Sequence, residues 1–389
     1  MVRRSAIAAI MLLGLAIGAR AGEVSPAELP GLVRDLSADE FLTRENAMLR
    51  LVAAGPAAIP ALKGVFVGGS NEAMSRGLHV LQQLGLSADP EAQEAARAAL
   101  AEVAARREQP VAARRAAAAL DGLIALRSIQ ALAELEALGA KVGRTQFFNG
   151  FATEELIETI EIGPDFKGEQ ADLRRLKWLA ISRLVLAGQR ITDDWLTQAI
   201  EMPDLEELHL YDVAITDAGV GKLAGHAGLA QVGLYYSPFT ATALAPLAKL
   251  PALNFVKLYG TKITRGQVDE FQTQTGLAKV DFRRGAFLGV GCTPIEQGCM
   301  ISTVHRGSPA EKAGLMAEDI FVRFGDSKVA DFESLTGLIS LRNVGETVEI
   351  EVERRYEDEQ GNFRTKRIVF KPELTPWEID LAVRNGPRP

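Results

Sequence analysis

The apolar residues of the chain change period three times. Ala6 to Ala19 form an unbroken apolar run of 14 residues behind Arg3 and Arg4. From residue 25 to about 140 the apolar positions recur at helical spacing. Ala47, Met48, Leu51 and Ala54 share one face, as do Ala95, Leu100 and Val103. Breaks at Gly55-Pro56, Gly68-Gly69-Ser70 and Asp89-Pro90 predict five or six helices of roughly 12 to 18 residues. The pattern then becomes L-x-x-L-x-L, with aliphatic residues or Phe at the L positions, starting at residues 157, 181, 205, 229, 253 and 277, each 24 apart. The same phase carries Ile191, Ile215, Phe239 and Ile263, each followed by Thr, and then Leu196, Val220, Leu244 and Val268. A short strand and a helix that recur this way cannot bury their apolar sides alone. Stacking joins the strands into a parallel sheet over one continuous core. After Arg284 the 24-residue phase stops. Strands are expected at Gly291–Pro294, Gly298–Val304, Ile320–Val322 and Val348–Arg354, with a helix over Phe332–Asn343.

The leader, residues 1–21, has a basic start, an apolar centre and a small-x-small site at Ala19-Arg20-Ala21, the signature of an export signal. The apolar run is short of the roughly 20 residues that span a bilayer; an uncleaved N-terminal anchor is the competing reading. Nothing after residue 21 reads as a membrane span. Hydrophobic residues make up 47% and charged residues 24% of the 389, which excludes wholesale disorder and a polytopic membrane protein and fits two or three domains. The net charge is -7, and the leader holds three arginines and no acid, so the exported part is more acidic still. Such a surface is a poor match for phosphate backbones, and nucleic acid is not an expected partner.

Arg44, Arg76, Arg97 and Arg114 each open a comparable apolar stretch. Region 25–140 thereby resembles HEAT-type helical pairs, an irregular helical bundle being the alternative. The segment Ile215-Thr216-Asp217-Ala218-Gly219-Val220 inside the 24-residue unit resembles the bacterial leucine-rich repeat with an I-T-D-x-G-L signature, over residues 141–283. Lys167 in the first unit and Arg265 in the last depart from it, as capping units do. The positions between the core residues of each strand would face a concave surface. One such column contains Tyr211, Tyr235 and Tyr259 on successive strands, roughly 5 Å apart, and His209 and Lys257 stand in the column beside it. An exposed row of tyrosines supplies interface area for a protein partner; a structural ladder packed on itself is the other reading.

Residues 284–375 contain R-G-A-F-L-G-V, G-S-P-A-E-K-A-G-L, Asp319-Ile320 and S-L-R-N-V-G-E-T-V-E-I in that order. This resembles a PDZ domain, most closely the modules attached to bacterial HtrA-type proteases, with 376–389 as a polar tail. The resemblance implies that Phe287, Leu288, Gly289 and Val290 form a loop whose amides hold a peptide's terminal carboxylate. The peptide then adds as a strand beside Val290–Pro294. Ser334 would be the first groove-facing residue of the helix, with Leu338 one turn on. Family members that prefer Ser or Thr in the ligand have His at the Ser334 position, so an apolar ligand tail is expected here. Glu318 stands where the family usually has Gly. A domain that packs on the repeats and binds nothing, or binds an internal loop, is the alternative. A hairpin centred on Ile295-Glu296 would set Cys292 opposite Cys299, within disulfide reach; two reduced residues are the other outcome.

The four histidines, His79, His209, His226 and His305, have no metal-ligand spacing. No G-x-S-x-G, P-loop or Cys-x-x-Cys is present, and residues 25–283 leave no room for the trypsin-like domain that accompanies PDZ in HtrA proteins. The expectation is therefore a multidomain chain: an α-helical solenoid, an α/β leucine-rich-repeat solenoid, and a small mainly-β PDZ domain with two helices. It would have no catalytic residues, metal or cofactor. It would serve as an exported scaffold, in the periplasm, cell envelope or extracellular space, for protein or peptide partners. The competing expectation is an accessory or regulatory subunit of an envelope protease or other enzyme.

Overall fold

The structure is a computed structural model that describes residues 24–145, 157–276, 279–295, 298–358 and 360–376. The leader, Leu277 and the tail from Trp377 lie outside the described residues. The chain divides into two compact units, 1–130 and 131–389, with the boundary inside one helix.

The first unit is helical. Its elements are α1 (Leu29–Asp35), α2 (Phe41–Ala53), α3 (Ala58–Leu62), α4 (Val65–Gly68), α5 (Asn71–Gly85), α6 (Pro90–Ala104) and α7 (Pro110–Ala137), which continues past the boundary. Ser70 caps α5 by accepting from Ala73 N, and Asp89 caps α6 by accepting from Glu91 N, with Pro90 in the first turn. The helix lengths differ from the expected 12 to 18 in both directions. Gly64, Gly68 and Gly69 cut the stretch after Pro56 into the short α3 and α4. The Ala-rich run from Pro110 has only Gly122 to weaken it and continues for 28 residues. Leu51, Leu62, Leu81, Leu84, Leu100 and Leu123 are fully buried at the centre of the unit. α5 and α7 approach closely at Gly85, where a Cβ would lie 2.5 Å from Leu123 Cδ2. By length and composition α7 is apolar enough to cross a membrane, with 28% of its apolar window buried, a feature the sequence reading did not register. Ala116, Ala119 and Leu123 on it belong to the helical core.

The second unit opens with a sheet of strands β1 (Lys141–Thr145), β2 (Ile157–Ile162), β3 (Arg183–Ala187), β4 (Glu207–Tyr211), β5 (Gln231–Tyr235), β6 (Phe255–Tyr259) and β7 (Lys279–Arg283), in that spatial order. β1 lies antiparallel on β2, and all later pairs are parallel. Each residue pairs with the residue 24 positions on: Leu184 with Leu208, Leu208 with Val232, Val232 with Val256, and Val256 with Val280. The sequence period is thus the sheet register. The repeated aliphatic residues face one core shared with α8 (Asp193–Ala199), α9 (Asp217–Val220), α10 (Leu244–Leu247) and α11 (Arg265–Thr275).

The Ile-Thr-Asp pattern has a physical origin here. Asp193 accepts from the N–H and hydroxyl of Thr216, each at 2.7 Å, one unit further on. Asp217 does the same for Thr240. The next acid is missing, because Ala241 occupies its place, and Thr264 N donates instead to Gln267 Oε1 at 3.0 Å. Each Asp therefore ties one helix start to the next.

After Arg283 a two-residue link, Arg284-Gly285, leads into the C-terminal domain. Its strands are β8 (Ala286–Phe287), β9 (Val290–Ile295), β10 (Gly298–Val304), β11 (Ile320–Phe324), β12 (Ser327–Lys328), β13 (Ile350–Glu357), β14 (Phe363–Phe370) and β15 (Thr375–Pro376). The main sheet runs β14-β13-β11-β10-β9, with β12 on β11, and β15 pairs with β8. Helices α12 (Pro309–Ala313) and α13 (Phe332–Ser340) cover it. The domain has its own core, including Leu288, Ile301, Phe321, Phe324, Leu335 and Val352. Asp319 is buried and held by Arg354 at 2.6 and 2.7 Å, which fixes the turn before β11 to β13. Glu318 sits in that turn at φ +70, a backbone region that favours glycine.

The Asp–Thr ladder makes a paired prediction. Asp217→Ala removes both acceptors of Thr240 and should cost about 1 to 2 kcal/mol, lowering the thermal midpoint. Ala241→Asp should extend the ladder to Thr264 and raise it. Thermal unfolding of the full chain followed by circular dichroism checks both.

Candidate peptide-binding groove

The loop between β8 and β9 is shaped by one glycine. Gly289 has φ +86, and a Cβ there would lie 2.2 Å from Ser308 Cβ, so both the dihedral and the space require Gly. Ala310 N donates to the Leu288 carbonyl and His305 N to the Gly289 carbonyl, each at 2.9 Å. In a planar trans peptide the following N–H points the opposite way. The Gly289 amide is therefore turned away from Ala310 on α12, and the Val290 amide away from His305. Among the described residues, the Leu288 and Gly289 amides donate to no backbone carbonyl. Successive amides aimed at one point form an anion-binding nest.

Beside this loop β9 is the last strand of its sheet, and its outer edge is unpaired among the described residues. An unpaired edge is a template for another strand. α13 flanks the edge. Leu335 anchors it in the core, while Leu338 and Ile339 pack partly buried against the domain core, as do Val290 and Cys292 from β9. The glycine-shaped loop, the unpaired edge and the apolar flank of α13 thus lie side by side.

Residues 286–366 match the family model of the PDZ domain. The C-terminal domain is a PDZ domain. Over 80 residues the chain is 38% identical to a "Probable periplasmic serine endoprotease DegP-like" of Chlamydia muridarum, and 35% identical to the protein of that name from Chlamydia trachomatis serovar D. Each match covers 18% of this chain and 16% of the relative, so the chain spans about a sixth of the length of these curated relatives. A solved structure titled "HtrA-type protease AlgW with decapeptide" aligns with 29% of this chain and 35% of its own, at 17% identity and a TM-score of 0.21.

Within the PDZ domain the expected site residues separate into two groups. Val290 and Leu338 are partly buried against the domain core, Gly289 shapes the loop, and Phe287 lies partly buried at its start with its ring 6.0 Å from that of His305. Leu288 is buried in the core and supports the loop from beneath. Ser334 does something other than expected. Its hydroxyl donates to the Asp331 carbonyl at 2.8 Å and accepts from Ala330 N and Asp331 N, while its N–H donates to Asp331 Oδ1. It is the third residue of the capping box that starts α13, and its polar groups are committed there. Those bonds hold the Asp331 carboxyl below its ordinary pKa. Cys292, absent from the expected site, packs beside Val290 against the same core. Strand alternation from Val290 is the signal that puts it on the same face.

The disulfide expectation is corrected by the register. Gly298 pairs with Ile295, a register displaced from the one that would set Cys292 opposite Cys299; the expected turn residue Glu296 lies outside the described residues. Cys292 therefore faces Ile301, and Cys299 faces Pro294. The two cysteines are diagonal neighbours and free thiols. The hydrogen bond between them, followed by burial, pushes the Cys292 thiol up.

The concave column is also corrected. Tyr211, Tyr235 and Tyr259 do align on successive strands, but Tyr235 and Tyr259 are 1% and 5% exposed, and His209 and Lys257 are 2% and 5% exposed. They form a buried polar network in place of an open aromatic stripe. Tyr235 lies across Gly233, where a Cβ would come 2.3 Å from its ring, and its hydroxyl meets His209 Nδ1 at 3.0 Å. His209 Nε2 is 3.6 Å from Glu207, and Glu207 accepts from Arg183 Nε at 2.6 Å. Tyr259 meets the Tyr235 ring edge-on at 5.3 Å and donates to Asp281. Burial, reinforced by the Lys257 and Arg183 charges, lowers the His209 pKa to about 4 against the pull of Glu207. For Glu207 burial works upward, but the bonds from His209 and Arg183 prevail and hold it at about 2.

Both shifts make the fold acid-sensitive. Above pH 6.5 His209 is neutral folded and unfolded. As pH falls from 6.5 toward 4 only the unfolded chain takes the proton, so stability is lost, by an amount on the order of 3 kcal/mol. Glu207 adds a further loss between pH 4.5 and 2. Thermal midpoints measured across pH 7 to 4 should fall for the wild type and fall less for His209→Gln.

Proposed function

We propose that this chain is an exported, non-enzymatic scaffold whose PDZ groove captures C-terminal or extended peptide segments. The observation that carries this is the pair of loop amides, Gly289 and Val290, turned away from the internal bonds of the loop beside the unpaired edge of β9. A carboxylate placed there would accept from groups already oriented, and the peptide behind it would extend the sheet. Val290, Cys292 and Leu338 favour an apolar last side chain. The 24-residue register and the Asp–Thr ladder support reading residues 141–283 as a leucine-rich-repeat solenoid. The helices of residues 25–140 are the HEAT-like part of the same reading. Both are further docking bodies, although the buried state of Tyr235 and Tyr259 moves the emphasis from the concave tyrosines to the groove. The reading assigns no catalytic residue.

A second reading, an accessory subunit that senses or delivers substrate to an envelope protease, is favoured by the 35–38% identity of the PDZ region to proteins named as periplasmic DegP-like endoproteases. The same names support placing the chain in the cell envelope. Stable co-purification with a protease would favour this role over the independent scaffold.

Titration of the full chain with a C-terminal peptide library, each hit paired with its amidated form, tests the capture. Charge-assisted bonds to the carboxylate predict at least about tenfold weaker binding on amidation. Equal affinity for the two ends would refute end-capture.

A further inference from the structure

The turns after β3, β4, β5 and β6 pass through the left-handed region at positions 24 apart: Gly188 at φ +102, Asp212 at +48, Tyr236 at +50 and Gly260 at +61. Glycine and aspartate enter this region readily, whereas a bulky aromatic there is an outlier that persists only when its surroundings hold it. The backbone bond does not account for it. Tyr236 N donates to Tyr259 O, but Asp212 N and Gly188 N make the same bond one strand on.

The side chain is what differs. The Tyr236 ring packs edge-on against Tyr211 at 5.3 Å. It lies against Gly260 and Gly285, where added Cβ atoms would come within 2.6 and 2.7 Å of ring carbons. Its hydroxyl donates to the Gly285 carbonyl at 2.8 Å. Gly285, at φ +94, is the second residue of the link into the PDZ domain and directly precedes β8 and the carboxylate loop. Its neighbour Arg284 N donates to Ser340 O at the end of α13, and Gly285 itself bridges to Asn343. One tyrosine of the repeat array thus holds the point where the loop strand and the end of the groove helix meet. A cleft of about 490 Å³, lined by Tyr236, Thr261, Arg284, Asn343 and Val344, adjoins this point. The hydroxyl bond is a specific restraint on the link there.

We propose that Tyr236 is a positioning residue: through Gly285 the repeat array sets the geometry of the carboxylate loop, so that end-capture belongs to the joined array and PDZ domain. This inference rests on the peptide-capture reading.

Tyr236→Phe in the full chain keeps the ring and removes only the hydroxyl bond. Amide hydrogen exchange at His305 and Ala310, which hold the Gly289 and Leu288 carbonyls, and at Arg284, which holds the Ser340 carbonyl, should quicken about three- to tenfold, with β11 unchanged. Affinity for a carboxylate-ended peptide should fall by a similar factor while its amidated form is unaffected, which narrows the ratio between them. Tyr236→Gly relieves the turn but also removes the ring contacts, so it should lower the thermal midpoint and show the same narrowed ratio; wild-type discrimination between the two peptide ends in this variant would contradict the inference. Wild-type exchange at His305, Ala310 and Arg284 in Tyr236→Phe would overturn the inference. If wild-type protein ignores the peptide end, the capture reading fails, and the exchange rates alone then decide whether Tyr236 holds the loop.

Discussion

A two-residue link constrains the second unit more than any other feature. Arg284 and Gly285 join the last strand of the parallel array to the first strand of the PDZ domain, too short a span to act as a flexible tether. The array register, propagated by one rule from β2 to β7, fixes where Arg283 ends. The link and Tyr236 then fix where the carboxylate loop begins. The peptide groove is thus continuous with a stack of strands whose own geometry repeats every 24 residues.

The polar chemistry of the array is turned inward. Gly233 leaves the floor open, Tyr235 lies across it, and the hydroxyl reaches His209. Arg183, Glu207, Asp281 and Tyr259 extend the network over several strands. A buried network of this kind makes one arrangement unique when each member is satisfied, at the expense of acid tolerance. In the PDZ domain the polar groups of the loop behave oppositely. Its carbonyls are used internally and its amides are aimed outward, which is the asymmetry that a ligand carboxylate needs.

Much of this was legible in the sequence, for physical reasons. In-register parallel stacking imposes the same requirement at the same interval, so Leu184, Leu208, Val232 and Val256 announce the sheet. The Thr-Asp step repeats because Asp193 and Asp217 each cap the neighbouring unit. Gly289 is readable because its dihedral and its contact with Ser308 admit no side chain. Other features were not readable. The Cys292–Cys299 register hangs on where a short turn is centred, and a one-residue displacement there converts opposed cysteines into diagonal ones. Ser334 occupies a position suited both to a capping box and to a groove wall, and only its bonds to Asp331 decide between them. Alternation shows that the tyrosines share a face but not that Tyr235 folds down onto Gly233. Helix lengths in the first unit depended on how far an Ala-rich run continues past a single glycine.

The central claim, that a peptide end is held by the loop amides and its chain by the β9 edge, is tested most directly by following backbone amide resonances of the full chain as a carboxylate-ended peptide is added. The account predicts the largest shifts at Leu288, Gly289 and Val290, with smaller ones continuing along β9 and at Leu338. Shifts confined to β14 at the opposite edge, or to the array strands, with the loop amides unmoved, would contradict it.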